Sequence, residues 1–87
     1  MIAVSGATGF LGAHVVCRLL QKGQQVRAFK RASSSLAEFN YIYSLMFNSS
    51  QALGNLTWVD ADVLDIPALE IALQGVTEVY HCAAMVS

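Results

Sequence analysis

Three glycines, Gly6, Gly9 and Gly12, stand between an apolar opening segment and a stretch with helical periodicity. Met1 to Ser5 has no polar alternation, which suits a strand in the buried centre of a parallel sheet. Leu11, Val15, Val16, Leu19 and Leu20 then recur at intervals that give one apolar helix face, with His14, Arg18 and Lys22 on a stripe read as facing solvent. A backbone that passes from strand to helix through glycines can approach an anion closely. The first free N–H groups of the helix and the positive end of its dipole face that anion. Strand, glycine-rich turn and helix in this order describe a phosphate-binding turn. The competing reading is a glycine turn used only for tight strand–helix packing. A P-loop is disfavoured, because no Gly-Lys-Ser/Thr follows.

The glycine spacing, G-x-x-G-x-x-G, differs from the dinucleotide fingerprint G-x-G-x-x-G by one extra residue in its first gap. Each glycine has an expected role: Gly6 permits the tight turn, Gly9 removes a side chain that would collide with a pyrophosphate, and Gly12 lets the helix close on the sheet. Main-chain N–H groups near Phe10 and Leu11 would bind the phosphates, with the Thr8 hydroxyl as a candidate extra donor.

The rest of the chain repeats the alternation of strand and helix. The first helix is expected from about Phe10 to Lys22, stopped by Gly23. Gln25 to Phe29 reads as a second strand whose tip is Lys30-Arg31. Ser35-Leu36-Ala37-Glu38 fits a capping box ahead of a helix whose core-facing stripe is Leu36, Phe39, Ile42 or Tyr43, and Met46. Leu56 to Asp60 reads as strand three, Pro67 to Gln74 as a helix capped by Asp65 and stopped by Gly75, and Val76 to His81 as a fourth strand apolar enough to be interior. The sum is βαβαβαβ, with right-handed crossovers and strand order 3-2-1-4 in a doubly wound parallel sheet of the α/β class.

Composition narrows the class. Of the 87 residues, 55% are hydrophobic and 13% charged, the profile of a core-rich globular unit rather than a disordered one. No apolar run reaches the ~18 residues a membrane span needs, and a net charge of −1 argues against a nucleic-acid partner. Cys17 and Cys82 give no disulfide framework and fit a reducing, cytoplasmic compartment as buried inert thiols. Nothing in the sequence suggests a metal site.

Gly6-Ala7-Thr8-Gly9-Phe10-Leu11-Gly12 resembles the cofactor turn of the extended short-chain dehydrogenases/reductases, the epimerase/dehydratase/reductase group. Asp60-Ala61-Asp62-Val63-Leu64-Asp65 is similar to that family's aspartate-hydrophobic pair after strand three, and Val79-Tyr80-His81-Cys82-Ala83-Ala84 to its strand ending in His-x-Ala-Ala. The resemblance implies that Asp62 accepts from the adenine amino group, that Val63 packs on the ring, and that the cofactor passes over the small Ala83 and Ala84. Asp62 as a turn residue or helix cap is the competing view. His81 is read as a hydrogen-bonded structural residue rather than a base.

The end of strand two distinguishes NAD from NADP in this fold, a carboxylate serving the ribose 2′-OH and a cation the 2′-phosphate. Lys30 and Arg31 stand there with no acid between them. Arg31, with its planar fork of donors, is the expected anchor, and Lys30 the supporting charge, which favours NADP with NAD as the alternative. Two solvated charges at a strand tip are the bland reading.

The family's catalytic Tyr and Lys, four residues apart, are not in this sequence: Tyr41, Tyr43 and Tyr80 are followed at that distance by Leu45, Phe47 and Ala84. Residues 1–87 are therefore expected to be the N-terminal, adenosine-binding part of one Rossmann NAD(P)-binding domain, with catalytic and substrate-binding parts beyond it and with no activity alone. The resemblance implies an NADP-dependent oxidoreductase acting on a carbonyl or alcohol of a small molecule. The alternatives are an NAD-dependent nucleotide-sugar epimerase or dehydratase, and a non-catalytic NADP-binding redox sensor. Homodimerisation is common in the family.

Overall fold

The computed structural model describes residues 1–31, 33–61 and 66–82. Four strands, β1 (Ile2–Ser5), β2 (Val26–Lys30), β3 (Leu56–Asp60) and β4 (Glu78–His81), form one parallel sheet in the order β3-β2-β1-β4. They alternate with helices α1 (Phe10–Gln21), α2 (Ala37–Met46) and α3 (Ile66–Ala72), and a short 3-10 turn, Gln51–Asn55, leads into β3. This is the expected topology and strand order, that of a doubly wound sheet.

Side-chain alternation along the strands divides the interior in two. Ile2 and Val4 of β1, Val26 and Ala28 of β2, and Leu56 and Trp58 of β3 pack with Ala13, Val16, Cys17 and Leu20 of α1 and with Phe39 and Ile42 of α2. Ala3, Phe29 and Val59, from the intervening positions, pack instead with Ala72, Leu69 and Leu73 of α3 and its following turn. Phe39 is buried and meets Trp58 edge-on with ring centroids 5.0 Å apart, so the aromatic stripe of α2 is core.

The C-terminus of α1 shows how closely local sequence dictates backbone. Gly23 takes φ of 76°, the Gly23 amide donates to the Leu20 carbonyl and the Gln24 amide to that of Leu19. That pair of bonds is a Schellman stop, which only a glycine adopts without strain.

Several expectations are corrected. Leu11 does not join the apolar face of α1; it is 64% exposed, because the helix buries the side carrying Gly12, Ala13, Val16 and Cys17. With about 3.6 residues per turn, Leu11 points away from Ala13. His14 is partly exposed and does not extend freely into solvent, donating from Nδ1 to the Phe10 carbonyl with its ring 4.5 Å from that of Phe10. The capping box does not form. Ser35 Oγ accepts from the amide of Ala37, two residues on, and α2 starts one residue late behind Leu36, which offers no side-chain cap. Finally, β4 is shorter than expected and exposed at all four positions, since it pairs only with β1 and forms the sheet edge among the described residues.

Candidate functional site

The turn after β1 is shaped by its glycines. Gly6 has φ of 63°, the left-handed region that L side chains resist, and its carbonyl accepts from the amide of Gly9 at 3.2 Å. A Cβ on Gly12 would lie 2.0 Å from the Gly6 carbonyl oxygen and 2.9 Å from Ala7 Cα. Gly12 thus seats the first turn of α1 on the glycine turn itself, a closer contact than helix against sheet.

Gly9 differs. Its φ of −80° and ψ of 170° are open to any residue. A Cβ there would meet nothing nearer than the Gly6 oxygen at 3.6 Å, an ordinary contact. The protein's own packing therefore does not require a glycine at this position.

The N-terminus of α1 lies directly against that open space. Gly9 gives no side-chain cap, and the first turn carries no acidic residue. The first helical bond runs from the Ala13 amide to the Gly9 carbonyl, which leaves the amides of Phe10, Leu11 and Gly12 without a hydrogen bond to any described residue. Phe10 and Leu11 are exposed, and Thr8 stands half-exposed beside them. Uncapped donors, an unopposed helix dipole and a bare glycine give this turn the chemistry of an anion acceptor.

At the same C-terminal edge of the sheet, one strand over, the tip of β2 carries Lys30 and Arg31. Lys30 pairs in register with Asp60 of β3, and its Nζ lies 2.7 Å from the Asp60 carboxylate. Arg31 is exposed, and among the described residues its guanidinium has no ion-pair partner. Asp60 is the residue that reasoning from sequence passes over. The pairing depends on the β2–β3 register, which sets Lys30 opposite Asp60 and which the expected bounds of the two strands did not give.

Ser5, buried at the end of β1, is hydrogen-bonded to His81 at the end of β4, Oγ to Nδ1 at 2.6 Å. His81 is thus hydrogen-bonded, as expected. Both cysteines are free; burial pushes the Cys17 thiol up to about 11 and raises that of Cys82. Asp62, Val63, Ala83 and Ala84, expected at the adenine and along the cofactor, lie outside the described residues. Among the described residues no cluster of His, Cys, Asp and Glu could hold a metal ion, and no helix is long and apolar enough to cross a membrane.

Comparison with known proteins gives a consistent picture. Residues 2–87 match the model of the NAD dependent epimerase/dehydratase family. Sterol demethylase protein B of Methylococcus capsulatus is 39% identical over 84 residues, covering 97% of this chain and 22% of that protein. Dihydroflavonol 4-reductase of Dianthus caryophyllus is 33% identical over 94% of this chain and 22% of its own length. Among solved structures, vestitone reductase from alfalfa superposes with a TM-score of 0.72 at 27% identity, over 98% of this chain and 25% of that one. UDP-glucose 4-epimerase from Thermotoga maritima gives 0.71 at 27% identity, over 99% and 25%. The chain thus spans about a quarter or less of the relatives it matches.

Proposed function

Because the chain belongs to the NAD dependent epimerase/dehydratase family, we propose that it is the adenosine-binding N-terminal part of a longer NADP-dependent oxidoreductase of the extended short-chain type. The reaction is hydride transfer to or from a carbonyl or alcohol of a small molecule, at catalytic groups outside these residues. The nicotinamide supplies or receives the hydride. Residues of this chain bind and orient.

One observation carries the reading: three adjacent amides, of Phe10, Leu11 and Gly12, without a hydrogen bond to any described residue, open beside a glycine that the packing of the described residues does not demand. They receive the pyrophosphate, helped by the Thr8 hydroxyl, and the missing side chain of Gly9 leaves room for it. At the β2 tip, the guanidinium of Arg31, without an ion-pair partner among the described residues, takes a 2′-phosphate, and Lys30 stands next to it. Asp62, Val63, Ala83 and Ala84 line the adenine and the passage over the sheet in this reading.

The test is titration of the full-length protein with NADPH and NADH, then with Arg31→Ala. Tighter binding of NADPH, with most of that preference lost in Arg31→Ala, is the expected result. Failure of wild-type protein to bind either dinucleotide refutes the reading; an unchanged preference in Arg31→Ala removes Arg31 as the anchor.

A second reading, an NAD-dependent nucleotide-sugar epimerase or dehydratase, draws support from Asp60, which brings a carboxylate to the tip after all. NADH preference in the same titration would select it.

A further inference from the structure

Lys30 and Asp60 end neighbouring strands at one register position, and the two ends of their ion pair are unequally placed. The Lys30 side chain is 17% exposed and that of Asp60 61%. The ammonium is thus held against the sheet, while the carboxylate faces outward, where any ligand at the tip of β2 would meet it. Arg31, one residue on, is exposed and without a described ion-pair partner. Of the two cations at this tip, one is already compensated.

We propose that Asp60 tunes the choice between NADP and NAD, by holding Lys30 and by setting a negative charge beside the adenosine ribose. The inference rests on the reading of the β2 tip as the ribose site given above. A 2′-phosphate carries about two negative charges at neutral pH, so it must compete with Asp60 for Lys30 and is repelled by the carboxylate itself. A 2′-hydroxyl bears neither cost. Asp60 therefore weakens a preference that Arg31 and an unpaired Lys30 would jointly make stronger. It acts through Lys30 and through its own charge, without bonding the ligand, and is a positioning residue.

The experiment measures dissociation constants of the full-length protein for NADPH and NADH, with 2′,5′-ADP and 5′-ADP as probes of the adenosine end alone. Wild type is compared with Asp60→Asn, Asp60→Glu, Lys30→Met and the Asp60→Asn/Lys30→Met double variant, each checked by thermal unfolding. Asp60→Asn should tighten NADPH and 2′,5′-ADP by about threefold to tenfold and move NADH and 5′-ADP by less than about twofold. Adding Lys30→Met should remove the part of the gain that runs through Lys30 and leave the smaller part due to the lost carboxylate charge, and Asp60→Glu should keep the wild-type ratio. A folded Asp60→Asn protein with an unchanged NADPH:NADH ratio overturns the role of Asp60 while leaving the proposed function standing. Selective loss of NADH affinity overturns it too, because Asp60 would then be a direct acceptor for the ribose. If wild type binds neither dinucleotide, the reading falls and this role with it.

Discussion

Two glycines three residues apart should respond oppositely to a small side chain. A methyl group at position 12 would sit 2.0 Å from the Gly6 carbonyl oxygen and 2.7 Å from its carbon, both backbone atoms that cannot rotate away. Relief requires the helix to lift off the turn, an overpacking cost of about 3 kcal/mol or more. That is a large share of the ~5–15 kcal/mol that holds a domain together. At position 9 the same methyl meets one atom at 3.6 Å, in a backbone conformation any residue adopts. Gly9→Ala should therefore leave stability unchanged or raise it by up to about 1 kcal/mol through the unfolded chain's lost freedom. Gly9→Val fills the space over the Phe10 and Leu11 amides. Losing two amide–phosphate bonds at about 1.5–3 kcal/mol each predicts at least a ~100-fold fall in dinucleotide affinity. Thermal unfolding by circular dichroism and fluorescence titration with NADPH, both on full-length protein, separate the two effects. Wild-type affinity in Gly9→Val, or a wild-type melting temperature in Gly12→Ala, would refute the reasoning.

Two further outcomes follow from the interior. Arg27 of β2 donates from one guanidinium nitrogen to the carbonyls of Ala72 and Gln74, each at 2.6 Å, closing the C-terminal end of α3. Arg27→Met should cost about 1–3 kcal/mol and speed amide exchange in α3 more than in α1, read by hydrogen-exchange mass spectrometry. Cys17 has no exposed surface, and its thiol is raised from 9.0 to about 11, so the folded state retains a proton the unfolded chain gives up between those values. Its contribution to stability is complete below pH 9 and declines from there to pH 11; Cys17→Ala should flatten that part of the denaturation-versus-pH curve.

Backbone-level features were the legible ones. Glycine positions and helical periods act through local sterics and burial, so the turn at Gly6 and the stop at Gly23 follow from adjacent residues, while the strand order follows from the alternation of strand and helix under the doubly wound pattern. What escaped depended on partners distant in sequence or on a one-residue choice of start. The Lys30–Asp60 pair needs the β2–β3 register, thirty positions apart in the chain. Ser35 had two amides within reach, and its bond to Ala37 in place of the Glu38 amide moved the start of α2. Leu11 fits an apolar stripe by period with Val15, yet lies on the side of α1 away from Ala13, outside the face the helix buries. The exposure of Val79 and Tyr80 reflects a neighbour that β4 does not have among the described residues.

The missing Cβ of Gly12 also bears on how tightly an anion can be held. Backbone resting on backbone has no rotamers to settle, so the helix end keeps one orientation before any ligand arrives. Donors immobilised beforehand lose little entropy on capture, and a modest set of amides can then discriminate among phosphate geometries that a floppier loop would accept indiscriminately.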